Sequence, residues 1–423
     1  MPRICLICIG DELLNGHTLE KNSHWLGSFL ISKGLQLGKV IVSPDSMEVL
    51  SRTLEKSVKD YDVIITSGGI GPTPDDLTRL IVSKTFDREL VYDENAREVA
   101  LENYQRRGIN WDDHKEKLAL KENYQNYEFL PQGFTTVRNP VGMAPGIALV
   151  EEKKLLLALP GVPREFMSMI NDDLLNLMAK AHLHSSAPHP PFIIRTRETP
   201  EEKIFFDLAP GLWEDLSKFG KVASLPQIMG VDIVISPEKK IDQERAFEIK
   251  KLIEKYKLKN IVWNYGEESL EEIIIQEART KKATIATAES CTGGLLGHKL
   301  TNVSGSSECY LGSVIAYANS VKMNCLNVKE RDLTEYGAVS TQVAEAMARG
   351  VCELIKADVG ISTSGIAGPS GGSPEKPVGL VAIGQSSEEG HAASFQQYRG
   401  NRDELKERFA KKALFTLLDT LRK

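Results

Sequence analysis

The chain has 423 residues, a formal net charge of −6, and 41% hydrophobic and 26% charged residues. This composition is typical of a folded globular protein and excludes a disordered or fibrous one. Lysine and arginine are scattered rather than gathered in a basic stripe, so the pattern predicts no nucleic-acid partner.

No apolar run reaches the roughly eighteen residues of a membrane span. The opening stretch MPRICLICIGDELL has no small-residue cleavage site, so it is not typical of a signal peptide. We therefore expect a cytoplasmic protein without a membrane partner. Cys5 and Cys8 form a C-x2-C pair inside an apolar run, which favours a buried strand with reduced thiols over a zinc site.

The first 180 residues alternate short apolar runs with amphipathic stretches of helical period. Such alternation is typical of parallel strands joined by crossover helices, so residues 1–180 are predicted to form an α/β domain. The predicted strands lie in RICLICIG, GKVIVSPDS, DVIITSGG, IALVE and KLLLALPG.

Two further domains are predicted after a Pro-rich stretch. Residues 181–264 have the signals of a small α+β domain, including one helix through PEEKIFFDLAPGLWEDLS. Residues 265–423 return to α/β alternation and end in a core-facing helix that begins near Asn401. The fold class is thus α/β in a three-domain chain.

A glycine-rich loop, SGGIGPTPDD at residues 67–76, follows an apolar run and precedes a predicted helix. Glycines ahead of a helix N-terminus suit phosphate binding, and Asp75 with Asp76 could hold a hard divalent cation. The alternative is a Gly/Pro turn in which one aspartate caps the helix.

Three other loops border apolar strands: GDELLNG at residues 10–16, NPVGMAPG at 139–146 and LPGVPREF at 159–166. The first places Asp11 and Glu12 directly after a strand, at the carboxyl end where α/β folds bind ligands. We expect these loops to line one pocket together with the glycine loop.

The segment TAESCTGG places Ser290 and Cys291 at a strand-to-helix turn. His298 and His391 are the only histidines after residue 265, so a base of another type is needed. A desolvated lysine can serve, and Lys322 with Tyr317 follows the strand-like GSVIAY. The alternative is a solvated lysine and a core tyrosine, while Cys291 is interpreted as a small buried hydrophobe.

A long glycine-rich loop spans STSGIAGPSGGSPEKPVGL, residues 362–380. Loops of this length usually bind something, and its backbone donors suit a phosphate or an amide, although it could simply close two strands. Arg402 begins the last helix and could pair with a phosphate or remain a solvated surface residue.

The motifs GDELLNG, GGIGPTPDD, NPVGMAPG and LPGVPREF resemble the amino-terminal domain of the CinA (competence/damage-inducible protein A) family. The resemblance implies a molybdopterin-binding-like fold and an ADP-ribose pyrophosphatase that needs a divalent metal ion. It assigns the metal to Asp11, Asp75 and Asp76, and the diphosphate to Gly68, Gly69, Gly71 and Thr73.

The motifs AESCTGG, IAYANSVK, SGIAGPSGGSPEKPVG and YRGNRD resemble the carboxy-terminal domain of the same family, a nicotinamide mononucleotide deamidase. The resemblance implies that Ser290 attacks the carboxamide while Lys322 acts as base and Tyr317 assists, without a cofactor. Substrate contacts are assigned to Thr292, Gly293, Asn319, Gly365, Gly368 and Arg402.

The middle domain has a KH-like appearance, and we assign it no RNA. SPDS at residues 43–46 departs from the Val-Gly-Asp stretch more usual in the family, and a second departure covers residues 127–129. These departures motivate an alternative, a competence- or damage-associated binding protein with a degenerate amino-terminal pocket. A pterin ligand in that pocket is a further alternative, and we expect a homodimer.

Overall fold

The computed structural model describes residues 1–71, 73, 76–110, 127–184 and 189–423. Two compact units are present: Met1–Pro190 with Glu238–Lys240, and Pro191–Pro237 with Ile241–Lys423. The predicted middle domain therefore shares a compact unit with the carboxy-terminal region. In the described part of the chain, no helix combines the length and the apolarity needed to cross a membrane.

The first unit is built on a six-stranded sheet of order β2-β1-β3-β8-β7-β6. Strands β1, β2, β3 and β8 are parallel, and β7 and β6 are antiparallel additions at one side. A separate two-stranded ribbon pairs β4 with β5. The strands are β1 (Ile4–Ile9), β2 (Leu37–Ser43), β3 (Val63–Ser67), β4 (Leu90–Tyr92), β5 (Phe129–Pro131), β6 (Thr135–Val137), β7 (Gly146–Glu151) and β8 (Lys154–Leu159).

Helices cover the sheet and confirm the predicted α/β class. They are α1 (Asp11–Leu14), α2 (Asn22–Ser32), α3 (Met47–Asp60), α4 (Thr78–Thr85), α5 (Glu94–Arg106) and α6 (Pro163–Lys180). Residues of β1 alternate between two apolar clusters, because successive side chains of a strand point to opposite faces. Cys5 and Cys8 belong to different clusters, so they cannot chelate one ion together.

The order of the strands creates a switch point in the first unit. From β1 the chain passes to β2 on one side and then to β3 on the other. The loops after β1 and β3 therefore leave a crevice between them at the carboxyl edge of the sheet. The GDELLNG and SGGIGPTPDD motifs begin these two loops.

The second unit begins with a four-stranded antiparallel sheet of order β10-β11-β9-β12. The single helix predicted across PEEKIFFDLAPGLWEDLS is wrong. A π-helical segment, Lys203–Leu208, ends before Pro210–Gly211, and a new helix starts from Gly211 with φ 89°, where a side chain would be strained. The elements are β9 (Phe192–Thr196), α7 (Leu212–Ser217), β10 (Lys221–Gln227), β11 (Gly230–Ser236), α8 (Gln243–Lys255) and β12 (Val262–Tyr265).

The rest of the second unit is a five-stranded sheet of order β14-β13-β15-β16-β17, flanked by helices. Strands β14, β13 and β15 are parallel, and β16 and β17 are antiparallel. Its elements are α9 (Leu270–Lys281), β13 (Ile285–Glu289), α10 (Leu295–Thr301), β14 (Tyr310–Ile315), α11 (Asn319–Leu326), α12 (Glu330–Glu335), α13 (Thr341–Ile355), β15 (Val359–Gly365), β16 (Leu380–Ser387), β17 (Gly390–Gln397) and α14 (Arg402–Arg422).

The two sheets of the second unit are joined by packing on α14. Trp263 from β12 meets Phe415 edge to face with ring centroids 5.9 Å apart. Arg197 forms an ion pair of 2.8 Å with Asp419. Helix α14 thus belongs to the core of the larger sheet and also anchors the smaller one.

Candidate active site

The turn after β13 carries the predicted nucleophile. Glu289, the last residue of the strand, is fully buried, and its carboxylate accepts hydrogen bonds from the N–H groups of Gly294, Leu296 and Gly297 at 2.9–3.0 Å. This carboxylate satisfies amides that open α10 and would otherwise lack partners. The turn that carries Ser290 is therefore fixed, where it enters α10, by the buried carboxylate of Glu289.

Ser290 is tied to the sheet on both sides. Its own N–H donates to the carbonyl of Thr363 on β15 at 2.9 Å. The carbonyl of the preceding residue, Glu289, accepts from the N–H of Ala316 after β14 at 2.7 Å. Ser290 is 9% exposed, so its hydroxyl occupies a defined position at the carboxyl edge of the parallel strands.

Lys322 reaches this hydroxyl from α11. Its Nζ lies 3.1 Å from Ser290 Oγ, and it donates to the carbonyls of Ala316 at 2.8 Å and Tyr317 at 3.1 Å. The side chain is only 1% exposed. The alternative of a solvated lysine and a core tyrosine does not describe the structure, since Tyr317 is 63% exposed.

Burial lowers the pKa of the Lys322 amine below its ordinary value, because desolvation disfavours the charged form. Lys322 Nζ donates to the Ser290 hydroxyl and to both carbonyls; once the amine has lost a proton, it can keep its bonds to the two carbonyls and turn its lone pair to the hydroxyl. A serine beside a neutral amine is the arrangement needed to form an acyl-enzyme. The geometry is therefore suited to acyl transfer.

Cys291, the neighbour of Ser290, is 7% exposed and packs in the apolar core of the second unit. Burial raises the pKa of its thiol to about 12. Since the thiolate is the reactive form of cysteine, this thiol is a poor nucleophile at neutral pH.

A cavity of about 290 Å³ opens in front of Ser290 and Lys322. Arg402, at the start of α14, donates to the carbonyl of Gly368 at 2.5 Å and lies 3.4 Å from the Tyr317 hydroxyl. This contact links the glycine-rich loop to the far wall of the cavity. The predicted residues that line it are Ser290, Tyr317, Asn319, Lys322, Gly365, Gly368 and Arg402.

Two predicted substrate contacts lie elsewhere. Thr292 is 1% exposed, and its hydroxyl is hydrogen-bonded to that of Thr363 at 2.8 Å. Gly293 has φ 64°, and a Cβ there would meet nothing within 4 Å. Neither residue is among those that line the cavity.

Glu289 and Ser364 also belong to the site, and neither was predicted from the sequence. Ser364 lines the cavity and donates to the carbonyl of Ala338 at 2.6 Å. The signal for Glu289 was a single carboxylate at the end of the apolar run TIATAE, since a charge at a buried strand end needs partners.

A second cavity, of about 410 Å³, lies in the first unit at its switch point. Gly68 and Gly69 line it, with φ 113° and 64°. A Cβ on Gly68 would come within 2.4 Å of the Ile9 carbonyl oxygen, and one on Gly69 within 2.5 Å of Thr78 Oγ1. Only glycine permits this close approach between the ends of β1 and β3.

Of the predicted metal ligands, the structure describes Asp11 and Asp76, and only Asp76 lines the cavity. Asp76 lines the cavity, but its carboxylate accepts from the N–H of Thr73 at 2.8 Å and from its hydroxyl at 2.5 Å. Asp11 does not line the cavity, and its N–H donates to Asp45 at 2.9 Å. Asp75 lies outside the described residues.

A further carboxylate at this cavity, that of Glu20, has structural partners. Glu20 accepts hydrogen bonds from the N–H groups of Asn22 and Ser23 where α2 begins. Gly71 does not line the cavity, and a Cβ there would fall 2.6 Å from Asp76. Within the described ranges, no group of three or more side chains that could hold a metal ion occurs.

Asn22 is a cavity residue that the sequence analysis did not identify. It is 4% exposed, and its Nδ2 donates to Ser67 Oγ at 2.7 Å and to the Gly161 carbonyl at 2.9 Å. Its Oδ1 is buried and makes no hydrogen bond within the described structure. A ligand or a water molecule that donates to Oδ1 would satisfy this buried acceptor.

Comparisons with known proteins cover both units. A family model described as "CinA C-terminal domain" matches residues 267–421, and one described as "Probable molybdopterin binding domain" matches residues 5–180. A "CinA-like protein" of Salinibacter ruber is 37% identical over 413 residues, which cover 97% of each chain.

Further similar proteins carry names of the same kind. A "Putative competence-damage inducible protein" of Halothermothrix orenii is 35% identical over 407 residues, covering 94% of each chain. A solved structure of "competence/damage inducible protein CihA from Agrobacterium tumefaciens" is 34% identical and covers 38% of this chain and 100% of that one, with a TM-score of 0.36.

Proposed function

Since this chain belongs to the CinA family, as its motifs indicated, we propose that its second unit hydrolyses the carboxamide of nicotinamide mononucleotide to nicotinate mononucleotide and ammonia. The observation that carries the proposal is the buried Lys322 amine 3.1 Å from the Ser290 hydroxyl, facing a cavity. The resemblance of the surrounding motifs supports the choice of substrate.

The proposed reaction begins with the neutral form of Lys322. As Ser290 Oγ attacks the carboxamide carbon, Lys322 takes the hydroxyl proton. The ammonium then returns this proton to the departing nitrogen, ammonia leaves, and an ester to Ser290 remains. Water, deprotonated by the same lysine, then attacks the ester, and the ammonium gives this proton to the departing Ser290 oxygen. The acid is released and loses its proton to solvent as the carboxylate, with Ser290 and the neutral amine restored.

The rest of the cavity supports binding of a mononucleotide. Arg402 provides a guanidinium group, which suits a phosphate, at the rim formed with Tyr317.

Four backbone amides near Ser290 are not available to donate hydrogen bonds to the oxyanion of the proposed reaction. The N–H of Ser290 is bonded to Thr363, and those of Gly294, Leu296 and Gly297 are bonded to Glu289.

The test compares the full-length protein with Ser290→Ala, following ammonia and nicotinate mononucleotide formed from nicotinamide mononucleotide. We expect the variant to lose activity while keeping its melting temperature. Cys291→Ala is the matched control, because it truncates the adjacent side chain. An active Ser290→Ala variant, or loss of activity in Cys291→Ala alone, would contradict the assignment.

For the first unit we propose that the cavity beside Gly68 and Gly69 binds ADP-ribose and that water splits its diphosphate into AMP and ribose 5-phosphate. The two glycines and the unpaired Asn22 Oδ1 support a ligand at this switch point. The resemblance of the four amino-terminal motifs supports this choice of ligand. The described carboxylates support binding more directly than a metal-dependent cleavage step.

An assay of AMP formation from ADP-ribose, with and without Mg²⁺ or Mn²⁺, separates the possibilities. Cleavage that Gly69→Ala abolishes and Ser290→Ala does not would support the proposal. Binding of ADP-ribose without AMP at any metal concentration would favour the competence-associated binding protein. Pterin fluorescence retained through purification would favour a pterin pocket instead.

A further inference from the structure

A third cavity, of about 600 Å³, lies within the second unit and apart from Ser290. Its wall is formed by the segment after β9 and by the turn between β10 and β11. The end of β17, the residue that follows it, and Arg408 in the second turn of α14 complete the wall. Part of the wall is apolar, formed by Pro226, Ile228 and Met229. The volume is in the range of small-molecule sites.

Two hydrogen-bonding atoms in this wall have no partner in the described structure. The hydroxyl of Tyr398 and the Nε of Arg408 are each buried at the level of the atom and make no hydrogen bond. Buried polar atoms in folded proteins are nearly always paired, because leaving them without a partner is costly. An acceptor that entered the cavity and reached both atoms would give each of them a partner.

Charge at the same cavity limits what the ligand can be. Glu198, Glu201 and Glu202 line it, and of these Glu198 is paired with Lys412 at 2.5 Å. Three carboxylates disfavour a polyanion such as a nucleoside diphosphate. Burial and the nearby Glu198 raise the pKa of Tyr398, so its hydroxyl keeps its proton and can donate.

We propose that this cavity binds a small molecule with an apolar body and one carbonyl or carboxylate group, which accepts hydrogen bonds from Tyr398 and Arg408. The apolar body would lie against Ile228 and Met229. Neither the site nor its ligand depends on the reaction proposed for Ser290.

The cavity is connected to the loop that faces Ser290. The N–H of Tyr398 donates to the Gly379 carbonyl at 3.0 Å, and the Gly379 N–H donates to the Ile366 carbonyl at 2.8 Å. Gly379 has φ 94°, and a Cβ there would lie 1.9 Å from the Tyr398 carbonyl oxygen. A ligand that fixes Tyr398 should therefore slow amide hydrogen exchange in residues 366–379.

The test uses benzoate and benzamide, which present a charged and a neutral acceptor on the same ring. Their binding to the full-length protein would be measured by calorimetry, together with Tyr398→Phe and Arg408→Gln. We expect each variant to bind at least one probe about tenfold more weakly, the loss expected for one hydrogen bond to a charged donor or acceptor. Arg402→Gln, on the same helix but at the Ser290 cavity, should bind the probes like the wild type.

Melting temperatures establish that the variants fold. If Tyr398→Phe does not fold, Arg408→Gln and the exchange of residues 366–379 in the wild type still decide the question. Three results would overturn the proposal: no binding of either probe at millimolar concentration, weakening by Arg402→Gln but not by Arg408→Gln, or a crystal structure grown with the probes in which only water bridges Tyr398 and Arg408.

Discussion

Replacing Lys322 by methionine tests the proposed chemistry most directly. The change keeps an unbranched apolar stem of similar length and removes the amine that lies 3.1 Å from Ser290 Oγ. A positioned general base contributes about 10²–10⁴ to a rate, so kcat for nicotinamide mononucleotide should fall by about a thousandfold. The KM should change much less, because the amine acts on the serine and not on the bound substrate.

The effect on stability should be small by comparison. Methionine avoids the desolvation of a buried amine, but it leaves the carbonyls of Ala316 and Tyr317 without this donor. Each unsatisfied carbonyl costs about 1–3 kcal/mol, partly offset by the removed desolvation. We expect Tm to fall by less than about 10 °C, a change that cannot explain a thousandfold loss.

The assay is ammonia release by the wild type, Lys322→Met and Lys411→Met. Lys411 is the matched control, since burial also lowers its pKa but it lies in the middle of α14. In the wild type, kcat/KM should rise with pH through the pKa of Lys322, below the ordinary 10.5, because only the neutral amine can take a proton. A folded Lys322→Met variant that keeps more than about a tenth of the activity would refute the role of Lys322 as general base.

Further changes probe neighbouring features. Cys291→Ala should keep most of the activity, and the wild-type thiol should react slowly with a thiol reagent at pH 7, because burial raises its pKa to about 12. Glu289→Gln should cost about 1–3 kcal/mol in a denaturant titration, since its amide would turn a donor toward backbone donors. Between the lowered pKa of folded Lys322 and about 10.5, the unfolded chain keeps a proton on Lys322 that the folded chain has lost. The free energy of unfolding of the wild type, relative to that of Lys322→Met, should therefore increase as the pH rises through this range. Gly69→Ala should weaken ADP-ribose binding and lower Tm, because the new Cβ would fall 2.5 Å from Thr78 Oγ1.

Local patterns were sufficient to predict the α/β class, whereas they left the role of Lys322 open, and its pairing with Ser290 was predicted from the family resemblance. Alternating apolar runs reflect strands covered by helices on both faces, so they can be read without tertiary information. Ser290 directly follows β13 and Lys322 lies on the helix after β14, and the ends of these neighbouring parallel strands meet at one edge of the sheet.

Features that depend on long-range contacts were not predicted. Packing between distant segments determines three such features. They are the burial of the Glu289 carboxylate, the inward position of Asn22 and the contact of Thr292 with Thr363. Asp11 was assigned to the metal from the family resemblance, but α1 begins at that residue and it does not line the cavity. A motif locates a loop, and the backbone of that loop decides which side chain faces inward.

Two parts of the candidate site are attached to different strands of the larger sheet in the second unit. Ser290 and Lys322 are held by the parallel strands β13, β14 and β15, whereas Gly368 and Arg402 belong to the loop and helix attached to the antiparallel strands. Exchanges in residues 366–379 or at the start of α14 would leave the serine and the amine in place. If the proposed hydrolysis holds, the same serine and lysine could therefore be adapted to another amide by changing only the antiparallel side.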